Sequence, residues 1–165
     1  MNRISQSSRT VAAMAVTLLT IVAAQASGAL THKTIKTYPA DSFSHGWTHV
    51  TNTPNGILYY NAKTGAGAVG RVDSTAKHVT VKVFPADSFR RGWTHVVNTS
   101  NGILWYNSAN GSGAIGSLDK AGTHTTVKVF AADSFARGWT SIEDTPNGIF
   151  FYNSYTGAGA LGRIQ

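Results

Sequence analysis

Phe43-Ser44-His45-Gly46-Trp47-Thr48-His49-Val50 recurs as Phe89-Arg90-Arg91-Gly92-Trp93-Thr94-His95-Val96 and again as Phe135-Ala136-Arg137-Gly138-Trp139-Thr140-Ser141-Ile142. The tryptophans stand 46 residues apart both times, with no insertion or deletion. Self-similarity at this period is the signature of propellers, solenoids and other repeat architectures. A site built from repeated residues occurs in several copies, which suits multivalent binding better than single-site catalysis.

Outward from these stretches, each repeat reads as four strands. In the second, Gly92 to Asn98 leads through Thr99-Ser100-Asn101-Gly102 into Ile103-Leu104-Trp105-Tyr106-Asn107. Asn-Gly is the strongest short hairpin signal, because both residues tolerate positive φ. Pro54-Asn55-Gly56 and Pro146-Asn147-Gly148 are its counterparts. A Gly-rich turn, Asn110 to Gly113, precedes a third strand from Ala114 to Leu118, and Thr125 to Phe130 forms the fourth. Its equivalent, His78-Val79-Thr80-Val81-Lys82-Val83, alternates polar and apolar residues as a half-buried strand does. No stretch after residue 26 has helical periodicity, so the fold class is all-β.

The repeat cores run 43–74, 89–120 and 135–165, and the last one ends before a fourth strand. A segment over 33–38, containing Thr34-Ile35-Lys36-Thr37-Tyr38, supplies the missing strand and is expected to complete the last repeat. Closure of this kind removes exposed sheet edges, which are aggregation liabilities. Two closed architectures fit. One is a β-propeller of three blades per chain, completed to six by dimerisation, with the Ile35 strand of one chain filling the last blade of its neighbour. The other is a β-trefoil, which closes within one chain.

The chain begins Met1-Asn2-Arg3, runs apolar from Val11 to Ala24 and reaches Ala24-Gln25-Ala26 before any acidic residue. This reads as a secretory signal peptide over 1–26; the apolar run is short against the roughly 20 residues of a spanning helix. A secreted, extracellular protein with a single repeat domain over 27–165 is expected, with no membrane association after cleavage. Loss of Arg3 and Arg9 with the signal leaves 12 Lys and Arg against 7 Asp and Glu, scattered rather than clustered. Nucleic-acid binding demands a basic stripe, so it is not expected. The chain has no cysteine, which excludes a disulfide framework.

The run Gly46-Trp47-Thr48-His49-Val50 with Pro54-Asn55-Gly56-Ile57-Leu58-Tyr59 resembles the blade motif of tachylectin-2-like β-propeller lectins. The resemblance extends over Gly92-Trp93 with Asn101-Gly102-Ile103-Leu104-Trp105 and over Gly138-Trp139 with Pro146-Asn147-Gly148-Ile149-Phe150. It implies repeated blades, binding of N-acetylated amino sugars and no enzymatic activity. The chain departs from that family in having three repeats where the family closes with five, and a shorter segment between Trp and Pro-Asn-Gly.

Candidate ligand residues follow from the repeats. Trp47, Trp93 and Trp139 offer an indole face for a pyranose, or else anchor the core. Asp41, Asp87 and Asp133 offer charge-assisted acceptors to hydroxyls, or else make Asx turns. Asn61, Asn107 and Asn153 end the second strand, where an amide can bind an acetamido group or cap the turn. Alternate turns of an up-and-down sheet emerge on one edge, so all three types should share a neighbourhood. A secreted multivalent carbohydrate-binding protein is the expected function, with glycans as partners and a homodimer as one route to closure. A structural or protein-binding module of the cell envelope is the alternative. The Gly-rich run Gly65 to Gly70 lacks the helix a phosphate loop needs, and the histidines lack zinc spacing. Glu143 and Asp144, adjacent on a strand, point to opposite faces. No catalytic residue, metal or cofactor is expected.

Overall fold

The computed structural model describes residues 30–165, and Thr34 to Gln165 form one compact unit. The signal peptide expected over 1–26 lies outside the described residues. Eleven strands make three antiparallel sheets and, among the described residues, there is no helix. The first sheet contains β1 (His49–Thr53), β2 (Gly56–Tyr60), β3 (Gly67–Val72) and β4 (His78–Phe84). β5 (His95–Thr99), β6 (Gly102–Asn107), β7 (Ser112–Leu118) and β8 (His124–Phe130) form the second. β9 (Ser141–Thr145), β10 (Gly148–Tyr152) and β11 (Gly159–Gly162) form the third. Strand neighbours follow chain order throughout; the first hairpin of each sheet closes with a two-residue turn followed by a positive-φ glycine, at Gly56, Gly102 and Gly148.

The sheets stand in a row. β1 contacts β5, and β5 contacts β9. Strand alternation divides the apolar residues of the second sheet between its neighbours. Val96, Ile103, Trp105 and Ala114 join Leu58, Tyr60 and Val69 of the first sheet in one core cluster. Leu104, Tyr106 and Ile115, on the other face, join Ile142, Ile149 and Phe151 of the third sheet in a second cluster. Each seam therefore buries one face of two sheets, and no core lies inside a single repeat.

One expectation is corrected. No closed barrel is formed, so the β-trefoil does not describe this chain: three separate sheets pack face to face instead of sharing a strand ladder. Within the single chain, residues 33–38 do not join the third sheet, which has three strands with β11 at its edge. Thr34 to Tyr38 carry no strand. Tyr38 is held at the first sheet, its hydroxyl donating to Ala76 O at 2.6 Å and its ring meeting Phe43 edge-on at 5.2 Å. The first and third sheets lie on either side of the second, which keeps Tyr38 away from the β11 edge.

Candidate functional site

The loops that join one sheet to the next carry the repeated Asp-Ser-Phe and Gly-Trp sequences. In the first such loop, Asp87 N–H donates to Thr64 O, Phe89 N–H to Gly65 O and Gly92 N–H to Ala62 O, all at 2.9 Å. In the second, Asp133, Phe135 and Gly138 make the same three bonds to Asn110, Gly111 and Ser108. Each loop is thus clamped to the β2–β3 or β6–β7 turn of the preceding sheet. The clamp demands glycine at 65 and 111: both have positive φ, and a Cβ there would collide with the carbonyl oxygen of Phe89 or Phe135. The Gly-rich run that begins at Gly65 is therefore a close approach between sheets.

This geometry places the nine candidate residues. The loops with Asp41, Asp87 and Asp133 and the turns with Asn61, Asn107 and Asn153 do come together, as the strand topology requires. Their side chains are occupied, however. Asn107 Oδ1 accepts from Ala109 N–H and Asn110 N–H, while its Nδ2 donates to Gly92 O at 2.9 Å. Asn153 makes the equivalent set with Tyr155, Thr156 and Gly138, and Asn61 Oδ1 caps Lys63 and Thr64. These amides close turns. Asp41, Asp87 and Asp133 all have positive φ, between 63° and 66°. The carboxylates of Asp87 and Asp133 make exposed i,i+4 ion pairs with Arg91 and Arg137, and Asp41 Oδ1 lies 2.8 Å from His45 Nε2. The guanidinium hydrogen bonds hold the carboxyls of Asp87 and Asp133 below the usual carboxylate range.

The tryptophans divide differently. Trp93 is buried in the first seam and Trp139 packs on the second, with Trp47 half-buried at the end of the row. Trp93 nevertheless borders a pocket of about 150 Å³ with Ser88, Phe89, Arg90, Trp105, His124 and Thr126. Arg90 lies over its indole, 5.2 Å from the ring centroid. A larger pocket, about 360 Å³, has equivalent residues 46 positions earlier: Ser42, Phe43, Trp47, Tyr59, His78 and Thr80. One pocket design is therefore present twice, each copy lined by the loop that enters a sheet and by that sheet's own strands.

The two copies differ in one informative position. Tyr59 Oη lies 3.3 Å from His78 Nε2. Trp105 replaces the tyrosine in the second sheet, and both Trp105 Nε1 and His124 Nε2 are left buried without a hydrogen-bond partner. Trp105 is 2 % exposed, and unpaired buried donors of this kind are uncommon. Burial pushes the His124 pKa down, which favours the neutral ring. Trp105, His124 and Thr126 are among the pocket residues that sequence reasoning missed. The signal available was the Tyr59-to-Trp105 exchange at matched repeat positions.

Among the described residues, no group of three or more His, Cys, Asp or Glu could hold a metal ion, and no helix is long and apolar enough to cross a membrane. Searches against family models, curated proteins and solved structures find no match to this chain. The resemblance to tachylectin-2-like repeats thus rests on the quoted motifs alone.

Proposed function

We propose that the protein is a carbohydrate-binding module of the propeller-lectin type, without enzymatic activity, whose ligand enters the Trp93–Trp105 pocket and its counterpart beside Trp47. The observation that carries this reading is the duplicated pocket, an aromatic wall with a few polar groups, beside which the second copy buries Trp105 with its indole N–H unpartnered. Small-molecule sites combine apolar walls with a few placed polar groups, and an indole pairs its apolar face with a C–H surface while its N–H donates. A pocket of about 150 Å³ lies below the roughly 300 Å³ of usual small-ligand sites, so it takes one ring edge or an acetamido group. The N-terminal sequence supports export, and equivalent sites on one scaffold support avidity.

A glycan array read with the purified protein tests this. Thr80→Tyr together with Thr126→Tyr fills both pocket mouths at exposed strand positions and should abolish glycan capture at unchanged melting temperature. Silence of the unaltered protein across amino sugars would favour the cell-envelope protein-binding module instead.

A further inference from the structure

The seam between adjacent sheets is built twice inside the chain, and each end of the row presents one half of a third. On the trailing face of the third sheet, Phe150, Tyr152 and Leu161 lie together, Phe150 directly opposite Leu161 on the paired strands. Their counterparts Leu58, Tyr60 and Val69 in the first sheet and Leu104, Tyr106 and Ile115 in the second are all within 3 % of full burial. Tyr152 is 38 % exposed and Leu161 58 %. The leading face of the first sheet is the mirror case. Val50 is 61 % exposed, whereas Val96 at the same position in the second sheet is 7 % exposed.

The polar half of the seam is duplicated in the same way. Tyr60 Oη donates to Arg90 O and Tyr106 Oη to Ala136 O, which leaves Tyr152 and Ser44 as the matching pair at the two ends. Nothing lies within 4 Å of a Cβ built at Gly157, where at Gly65 and Gly111 the next loop's carbonyl stands. The N-terminal segment fits too. His32-Lys33-Thr34-Ile35-Lys36-Thr37-Tyr38 aligns with β4 and β8 at the repeat offset and shares their His, Thr and Lys at the first, third and fifth positions. Tyr38 meets Phe43 at 5.2 Å and 71°, against 4.9 Å and 66° for Phe84 with Phe89 and 5.1 Å and 74° for Phe130 with Phe135. It holds the place that the last residue of a fourth strand holds in the other two repeats, with no preceding sheet in this chain to belong to.

We propose that the occupant of both faces is a second copy of this chain, joined head to tail, so that Phe150, Tyr152 and Leu161 of each copy pack on Phe43, Trp47 and Val50 of the other. Residues 32–38 of each copy then pair with β11 of its partner as a fourth strand. By the β3–β4 and β7–β8 register, Thr37 falls opposite Ala160 and Lys36 opposite Leu161. A propeller closes with four to eight blades, and six is the one multiple of three in that range, so two copies close the ring. A heterologous contact that closes gives a finite assembly instead of a filament. The association goes beyond the carbohydrate reading and stands or falls without it.

The test is the native mass of the full purified chain and of two variants. The unaltered protein should have twice the chain mass. Leu161→Lys and Val50→Lys should each be monomeric with unchanged circular dichroism and cooperative unfolding, because both side chains are exposed in the single chain. Mixing the two variants should restore a dimer, since one intact seam remains between them. Thr37→Cys mixed with Ala160→Cys should give a disulfide-linked pair on oxidation, in a protein with no other cysteine. A monomeric unaltered protein would overturn the proposal. So would a mass that keeps climbing with concentration, or a dimer that survives Val50→Lys, which would place the contact tail to tail.

Discussion

Tyr60 donates its hydroxyl to the carbonyl oxygen of Arg90 at 2.7 Å, so the last residue of β2 fixes the loop that starts the next sheet. Tyr106 does the same for Ala136 at 2.8 Å. Both rings are fully buried, and burial raises both phenol pKa values, which keeps the donor protonated. The same oxygen also lies 3.4 Å from the backbone N–H of the following tryptophan, Trp93 or Trp139. One hydroxyl thus serves two backbone groups across each seam.

Removing that hydroxyl should weaken the seam without opening a cavity. Tyr106→Phe is expected to lower unfolding free energy by about 1–3 kcal/mol, because Ala136 O loses its donor while partly buried. Urea unfolding with an unchanged m-value checks this. A variant as stable as the parent would mean that the carbonyl finds water instead.

Gly111→Ala should cost more than the roughly 1–2 kcal/mol of placing a Cβ at positive φ, since that Cβ also collides with Phe135 O. The second sheet's clamp on the third should fail first. Equilibrium unfolding that shows a loss of about 1 kcal/mol or less would contradict the close approach.

Asn107→Ala is expected to act on stability whether or not sugar binds, by about 1–2 kcal/mol, in the range of lost side-chain caps and hydrogen bonds. Asn107→Asp separates the two roles of the amide. It keeps an acceptor for Ala109 and Asn110 but loses the donor to Gly92 O. Thermal melts should rank parent above Asp above Ala; glycan binding lost from a fully stable Ala variant would return this residue to the binding site.

His124 should make stability fall with acid. Its folded pKa is depressed by burial, so the unfolded chain binds the proton more readily. Its contribution is present above the ordinary value of about 6.5 and is lost progressively as pH falls from there toward the folded pKa. Stability measured from pH 7 down to 5 should slope downward, and His124→Gln should remove part of that slope. An identical slope in the variant would show that His124 charges freely in the fold.

Asp133→Gly should leave stability within about 1 kcal/mol of the parent, because the exposed ion pair with Arg137 contributes little while glycine relieves the positive φ. Asp133→Val should be clearly worse, since a β-branched residue there is a steric outlier. Equal melts for Gly and Val variants would refute the backbone role.

The 46-residue period, the Asn-Gly hairpins and the alternation in His78 to Val83 determined the all-β class, the four strands of each complete repeat and the order in which they pair. These are local properties, fixed by turn chemistry and by which face of a strand is apolar. The neighbourhood of the Asp41-type loops and Asn61-type turns was legible for the same reason. Tertiary structure decided how those groups are used. Asn107 reads equally well as ligand or cap until Gly92 O is seen within reach of its amide, and Asp87 as acceptor until Arg91 is seen on its carboxylate. The pocket beside Trp105 escaped sequence reasoning because its walls come from a loop and three strands, and because an indole N–H advertises itself only when the fold leaves it without a partner. The sequence of residues 33–38 marks a strand, but a strand exists only where an edge receives it. Within this chain the second sheet stands between Tyr38 and β11.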